Sequence, residues 1–388
     1  GAYRFNDLYE AGESSHLRAI AELDPRIQSN ECANIQFTSG TTGAPKGAML
    51  SHHNLVNNAF GIGKRSGFHE NEKRICVTVP LFHCFGCVAG TLSGSLFGAT
   101  CVFPSPGFDA HAAVKCFEQE RVTTVYGTPT MFVDMIASHE VNPVSVATLK
   151  DGIMAGASCP QELVYAVMHK LNMPKFLVMY GMTETSPVTF QCFPQDSPET
   201  RSATIGFPSD HIEVMVTDKN NEIVRSGEKG ELCIRGYCNF LGYWDDKQKT
   251  EDSYLPGGWF RTGDLAILRP DGYGQIVGRI KDLIIRGGEN VFPAEVENFL
   301  MSHQNIIEAQ IFGVPDPRLG EEIACWVRTT NSEQLTVEDI KSWCKGKIAH
   351  YKIPKYILFK EEFPRNVSGK VQKFKMLAST KEELGLKG

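Results

Sequence analysis

Ten consecutive residues, Thr38-Ser39-Gly40-Thr41-Thr42-Gly43-Ala44-Pro45-Lys46-Gly47, concentrate three glycines, four hydroxyls and a lysine. Glycine lets a backbone approach phosphate oxygens closely and turn where a side chain would clash. Hydroxyls and a lysine add donors and charge. The chemistry this suggests is a grip on a nucleotide phosphate. A Walker A loop does not fit, because that pattern needs Ser or Thr directly after Gly-Lys. Here Pro45 precedes Lys46 and Gly47 follows it. Proline also removes one amide donor from the cradle. By itself the run favours the phosphate grip over the alternative of a plain polar loop.

A second cluster, His83-Cys84-Phe85-Gly86-Cys87, contains a CxxC. No second CxxC or histidine pair accompanies it, so buried small residues are expected here and not a structural zinc. The twelve cysteines are scattered and read as reduced thiols of an intracellular chain. With 39 basic and 45 acidic residues the formal charge is −6, which gives no footprint for nucleic acid. No secretory or transit peptide is visible at residue 1.

The 388 residues suffice for two or more domains. Ala33–Phe37 reads as a short buried strand before the phosphate loop, with a periodic helical segment from Gly47 to Phe60 after it. Strand-like runs at Ile75–Val79, Thr100–Phe103, Thr123–Tyr126, Gly152–Ala155 and Phe176–Tyr180 alternate with helical runs at Ala110–Glu120, Pro129–Ser138 and Pro160–Leu171. Such alternation predicts a mainly parallel α/β sheet, with ligands beyond the carboxyl ends of its strands. Ile75–Phe108 carries no charged residue, and Gly86, Gly90, Gly94 and Gly98 recur every four residues. That spacing also occurs in packed membrane helices. Pro80, Pro104 and Pro106 favour strand, loop, glycine-ridged helix (about Phe85–Phe97) and strand.

After Pro208 short strands and turns suggest a β-rich subdomain over about 208–280. A domain boundary is expected near Lys281. Beyond it the pattern is helix Ala294–Ser302, strands Ile306–Gly313 and Glu322–Arg328, helix Thr336–Ile348 and strand Lys355–Phe359. Residues 1–280 would form the large domain and 281–388 the small one.

The polar loops form an ordered series. After Thr38–Gly47 come Tyr180-Gly181-Met182-Thr183-Glu184, Gly258-Trp259-Phe260-Arg261-Thr262-Gly263-Asp264 and Gly278-Arg279-Ile280-Lys281-Asp282. Arg286-Gly287-Gly288-Glu289-Asn290 and Pro364-Arg365-Asn366-Val367-Ser368-Gly369-Lys370 complete it. The series resembles the adenylate-forming superfamily of acyl-CoA synthetases, luciferase and peptide-synthetase adenylation domains. Within it, Tyr126–Asp134, Gly230–Cys238 and Lys345–Tyr356 most resemble medium-chain acyl-CoA ligases.

The resemblance implies a large α/β domain of mainly parallel sheets with a β-rich subdomain, and a small mobile C-terminal α+β domain. It implies further residues before the phosphate loop, so the large domain is expected to be incomplete at its N-terminus. It also implies roles. Thr38, Ser39, Gly40, Thr41, Thr42, Gly43, Ala44, Pro45 and Lys46 would hold the β- and γ-phosphates. Gly156-Ala157-Ser158, with Tyr180 and Gly181, would flank adenine. Asp264 would accept from the ribose hydroxyls, with Arg279 beside the ribose and phosphate. Glu184 would hold Mg²⁺, Thr183 would touch the α-phosphate or acyl carboxylate, and Lys370 would bridge the two during adenylation. Lys281 matches the hinge, Gly287 and Gly288 the pantetheine tunnel, and His83 an aromatic gate between acyl pocket and tunnel.

The activity so implied makes acyl-CoA from a medium-chain fatty acid, ATP and CoA, through an acyl-adenylate. Two alternatives stand beside it. One is a CoA ligase for an aryl or long-chain acid. The other is a catalytically inactive nucleotide-binding or interaction protein. Mitochondrial matrix is the location the resemblance implies, cytoplasm otherwise. No transmembrane segment and no obligate protein partner are expected.

Overall fold

A computed structural model describes residues 4–38, 45–157, 159–330, 335–366 and 369–386. Two short helices open the chain, α1 (Phe5–Glu10) and α2 (Ser14–Leu23). Strands β1 (Cys32–Thr38) and β2 (Lys46–Ser51) then pair antiparallel, bringing Thr38 opposite Lys46. This corrects two expectations. β1 is largely exposed, with Phe37 at 75%. The residues after the loop are also a strand, and α3 (His52–Arg65) starts only at His52. Ser51 explains the delay. Its hydroxyl accepts from Asn54 N at 3.1 Å while Asn54 Oδ1 accepts from Ser51 N at 2.8 Å, a reciprocal cap that sets the helix start.

The central sheet follows: β3 (Arg74–Val77), a π-helical segment (Phe85–Leu92) running into α4 (Ser93–Leu96), then β4 (Thr100–Val102). α5 (Ala110–Gln119), β5 (Thr124–Gly127), α6 (Pro129–Val141), β6 (Asp151–Met154), α7 (Gln161–Lys170) and β7 (Lys175–Gly181) continue the alternation. β8 (Val188–Gln191), α8 (Pro198–Ala203) and β9 (Phe207–Pro208) finish it. The order is β4-β3-β5-β6-β7-β8-β9, parallel as far as β7 and antiparallel after it. The expected parallel sheet is therefore present, with β8 and β9 as additions. Its core is an apolar layer that includes Ile75, Val125, Phe132 and Phe176, all within 1% of full burial.

The glycine ridge serves this core. A Cβ on Gly86 would lie 2.3 Å from Pro80 O, and one on Gly94 would lie 2.9 Å from Cys101 Sγ. Missing side chains thus let the helical segment lie directly on β3, β4 and their flanks. Among the described residues no helix is long and apolar enough to cross a membrane.

β10 (Ile212–Thr217) and β11 (Lys229–Gly236) begin the β-rich part. β12 (Gly242–Tyr243) leaves it to pair with β2. α9 (Lys247–Asp252), β13 (Tyr254–Leu255), β14 (Trp259–Leu268) and β15 (Gly274–Arg279) complete it. The order is β10-β11-β14-β13, with β15 sharing the β13 edge of β14 further along the strand. Trp259–Asp264, expected as a loop, is strand β14. Asp264 is paired in register with Arg279 of β15.

A third sheet contains β16 (Ile284–Arg286), β17 (Glu289–Val291), β18 (Ile306–Asp316), β19 (Gly320–Thr329) and β20 (Tyr356–Phe359). Helices α10 (Pro293–Met301), α11 (Val337–Cys344) and α12 (Lys373–Leu384) accompany it. The hairpin β16–β17 and α12 were not legible in the pattern. Several contacts join this sheet to the rest, among them those of Lys229 and Gly369. Lys229 Nζ lies 4.7 Å from the centre of the Phe292 ring. Gly369 abuts the start of α6, where its Cβ would sit 3.6 Å from Thr128 Oγ1.

Candidate active site

β7 ends in the tightest approach of the fold. A Cβ on Gly181 would fall 1.8 Å from Pro187 O, so only glycine lets the following turn fold back. That turn, Thr183–Thr185, is a single 3₁₀ turn that presents Thr183, Glu184 and Thr185. The Glu184 carbonyl accepts from Phe240 N at 2.9 Å, and its carboxylate Oε1 accepts from the Tyr243 hydroxyl at 2.9 Å. Tyr243 lies in β12, opposite Ala48 of β2. Lys46 Nζ sits 5.4 Å from the Tyr243 ring centre. Tyr243 is thus the bridge that sets Glu184 beside the exit of the glycine-rich hairpin.

Sequence reasoning missed Tyr243. It stands 59 residues from Glu184, and no local periodicity marks it. Thr38 faces Lys46 across the hairpin, its hydroxyl 3.4 Å from Lys46 O. Pro45 is exposed. Ser39, Gly40, Thr41, Thr42, Gly43 and Ala44 lie outside the described residues, as does Ser158.

A few residues further along β7 and β14, the Tyr180 hydroxyl donates to Asp264 Oδ2 at 2.6 Å. Arg279 Nε stands 3.3 Å from Asp264 Oδ1. Asp264 is 4% exposed. Burial raises its carboxyl above the usual range, and Arg279, the Tyr180 hydroxyl and Lys370 pull against that rise. The Tyr180 hydroxyl is pushed up well above 10, by burial first and the Asp264 charge next. Gly156 and Ala157 follow β6, where a Cβ on Gly156 would come within 3.6 Å of Thr128 Cγ2. They therefore border the same end of the sheet as Tyr180, the carboxyl ends of its parallel strands.

Lys370 reaches this region from the third sheet. Desolvation lowers its ammonium below the usual lysine range, and the Arg279 cation adds to this. Cys84, Glu184 and Asp264 act the other way. Groups from several separate segments of the chain therefore sense Lys370, His83 among them. Burial and then the Lys370 charge hold His83 down to about 4. His83 Nδ1 accepts from Phe85 N at 3.2 Å, which places the ring proton of the neutral form on Nε2.

Next to it, Cys84 Sγ lies 3.7 Å from the Thr183 hydroxyl. Burial pushes the Cys84 thiol up to about 12, so it is no nucleophile at neutral pH. Among the described residues no three His, Cys, Asp or Glu are grouped to hold a metal.

Lys281 lies in the 3₁₀ turn Ile280–Asp282 that links β15 to β16. Much of its surface reaches solvent, yet desolvation and the neighbouring Arg279 push it down to about 8. Gly287 and Gly288 form the β16–β17 turn with φ of +59° and +90°. A Cβ on Gly287 would meet Leu319 at 3.0 Å, while one on Gly288 would meet open space. The structure thus gathers Thr183, Glu184, His83, Asp264, Arg279 and Lys370. It leaves Gly287 and Gly288 at a turn whose neighbours belong to the third sheet.

Residues 3–244 match the family described as AMP-binding enzyme, and 295–370 match the AMP-binding enzyme C-terminal domain. The chain is 47% identical over 388 residues to "Medium-chain acyl-CoA ligase ACSF2, mitochondrial" of Danio rerio, covering all of this chain and 64% of that one. It is 41% identical over 393 residues to "Putative acyl-CoA synthetase YngI" of Bacillus subtilis (strain 168), covering all of this chain and 71% of that one. Thus it spans less than two-thirds of the length of the fish relative.

Among solved structures, ATP-bound MatB from Rhodopseudomonas palustris superposes with a TM-score of 0.84 at 27% identity, over 92% of this chain and 69% of that one. The anthranilate CoA ligase AuaEII with anthranoyl-AMP gives a TM-score of 0.84 at 25% identity over the same shares.

Proposed function

The chain belongs to the AMP-binding enzyme family, and from that premise we propose that the protein is an ATP-dependent, AMP-forming acyl-CoA ligase for medium-chain fatty acids. The observation that carries this reading is the placement of Lys370. A cation from the third sheet sits among Thr183's neighbour Cys84, Glu184, Asp264 and Arg279, which the large body supplies. Residues 1–280 and 281–388 are read as two domains hinged at Lys281. Mitochondrial location is proposed from the relatives' names.

The first half-reaction joins a carboxylate oxygen to the α-phosphorus of ATP, and the bond to the β-phosphate oxygen breaks. Asp264 holds the ribose, with Tyr180, Gly156, Ala157, Ser158 and Gly181 around the base. Thr38 to Lys46 hold the departing pyrophosphate. Lys370 bridges the carboxylate and α-phosphate, and its compact charge suits a cleft assembled by domain closure. Desolvated and beside Arg279, it is electrostatically underserved until a polyanion arrives. Binding ATP therefore relieves a repulsion as well as positioning the attack.

Glu184 fits a Mg²⁺ site. Tyr243 occupies one oxygen of its carboxylate, and one hard oxygen ligand suits a Mg²⁺ that takes most of its partners from phosphate and water. When bound, that ion supplies charge neutralisation for the phosphates. In the second half-reaction the CoA thiol gives up its proton to solvent, its sulfur bonds to the acyl carbon, and AMP leaves with the electron pair of the carbon–oxygen bond. Gly287 and Gly288 would line the path of the thiol arm after the small domain turns. His83, neutral at physiological pH, would act as a movable ring at the junction and not as a charge.

Carboxylate-dependent ATP–pyrophosphate exchange tests this across an acyl chain-length series. It is run on this chain and on a version extended N-terminally to the relatives' length. A maximum at medium chain lengths is expected from the extended protein. A maximum with aryl acids would favour the aryl ligase reading, which the likeness to an anthranilate ligase keeps in view. No exchange with any acid would favour a nucleotide-binding protein without ligase activity.

A further inference from the structure

Lys370 is useful only if its position is defined, and a lysine stem of four methylenes defines little by itself. The definition has to come from the backbone that carries it. Arg365 stands five residues earlier and bridges to Val371 across the turn. Its guanidinium is used at both ends. Nη1 donates to Gly369 O at 3.0 Å, and Nη2 donates to Glu308 Oε1 at 2.6 Å and Oε2 at 2.7 Å. Glu308 belongs to β18 and is 7% exposed, so the anchor is rooted in the body of the small sheet. Arg328 of β19 stands 3.4 Å from the same carboxylate.

Asn366 completes the frame. Its Oδ1 accepts from Lys370 N at 2.9 Å, and its carbonyl accepts from Gly369 N at 2.9 Å. The framed Gly369 in turn abuts Thr128 and Thr130 at the start of α6. From the same helix, the Asp134 carboxyl is raised by burial, while the Arg328 and Arg365 charges pull against that rise and Glu308 adds to it.

We infer that Arg365, clamped by Glu308, is a positioning residue for adenylation: it holds the Gly369 carbonyl so that Lys370 enters the closed cleft in one place. This rests on the reading of Lys370 as the adenylation cation. A planar fork with several donors grips both carboxylate oxygens and a carbonyl at once in a fixed geometry. Arg365→Lys would keep the charge and lose that fixed geometry, since an ammonium on a flexible stem holds no set fork. The effect belongs to one half-reaction, because the thioester step needs the small domain turned away from Thr128.

The test compares both half-reactions on the full-length protein. The probes are ATP–pyrophosphate exchange with a saturating fatty acid, and thioester formation from supplied acyl-adenylate and CoA. Arg365→Met and Arg365→Lys should each slow exchange by about 10- to 100-fold, as loss of a charged hydrogen bond implies. Thioester formation should change by less than about threefold. Adding Arg365→Met to Lys370→Ala should cost nothing further, since the two act through one atom.

Equal loss of both half-reactions, unchanged exchange, or additive losses in the double variant would each overturn the inference. If Arg365→Met does not fold, Glu308→Gln and Arg365→Lys carry the same expected split, and its absence there is equally decisive. Lys370→Ala alone separates the two readings. Intact exchange in that variant would remove the role of Lys370. Lost exchange there with normal exchange in the Arg365 variants would remove only the role of Arg365.

Discussion

Asp264 and Arg279 face each other directly across two antiparallel strands, with Arg279 Nε 3.3 Å from Asp264 Oδ1. Tyr180, from a different sheet, closes on the other oxygen at 2.6 Å. The carboxylate is buried and so must be partnered, because an isolated buried charge is costly. A cation and a hydroxyl satisfy part of its acceptor capacity, and a carboxylate retains lone pairs for further donors. A diol such as ribose is the kind of group that can use them. The three residues come from β7, β14 and β15, so the pocket exists only where two sheets meet.

Lys370 should separate the two half-reactions. Lys370→Ala is expected to reduce carboxylate-dependent pyrophosphate exchange by at least about 100-fold, the scale of a single preorganised charge at a transition state. Thioester formation from supplied acyl-adenylate should persist. Side-by-side rates of the two steps decide it, and parallel loss of both would refute the division.

Tyr243 should act on Mg²⁺ through Glu184. Tyr243→Phe removes only the hydroxyl that donates to Glu184 Oε1. The expected outcome is a roughly tenfold higher Mg²⁺ concentration for half-maximal exchange, the size of one hydrogen bond to a charged group. Titration of exchange with Mg²⁺ at saturating ATP reads this. An unchanged midpoint would mean that the carboxylate is held without the tyrosine.

His83 predicts a pH dependence of stability with a definite sign. Its pKa falls from 6.5 to about 4 on folding. Between those values the unfolded chain binds a proton that the folded one refuses. Stability should therefore drop as pH falls from about 6.5 toward 4, by roughly 3 kcal/mol at the acid end, with no contribution from this residue above that window. Denaturation of the native chain and of His83→Gln from pH 7.5 to 4.5 isolates the effect. Parallel curves for the two would contradict it.

Gly86 should be intolerant of any side chain. Its Cβ would meet the backbone oxygen of Pro80 at 2.3 Å, and backbone cannot rotate aside as a side chain can. Gly86→Ala is expected to cost about 2 kcal/mol through overpacking. The midpoint of chemical denaturation measures it, and an unshifted midpoint would show that the π-helical segment relaxes freely.

The alternation from β3 to β7 was legible because each element carries its own periodicity. Thr123–Tyr126 comes within one residue of β5 at each end, since its apolar run and flanking turns lie within one short window. What escaped depends on partners distant in sequence. β2 was read as helix because Gly47 to Phe60 is helical in period only from His52 onward, and the strand is defined by its pairing with β1 and β12. Trp259–Asp264 was read as a loop because Gly258, Thr262 and Gly263 imitate turn residues, although β11 and β15 hold them in a sheet. Motif residues with side-chain chemistry, Glu184, Asp264, Arg279 and Lys370, were visible individually. Their supports Tyr243 and Glu308 were not, because neither carries a local signature.

Asp264 and Tyr180 sit on interior strands of the large body, whereas Lys370 hangs from a turn of the small one. On the proposed reading, the nucleoside half of the substrate would be moored to parts that stay still, and the activating charge would belong to a part that turns away. A ligand made only of adenosine and one phosphate should remain seated while the lysine withdraws. It should then compete in both half-reactions. The free energy of holding the nucleoside need not be surrendered between the two chemical events, so one pocket can serve two successive reactions without releasing its intermediate.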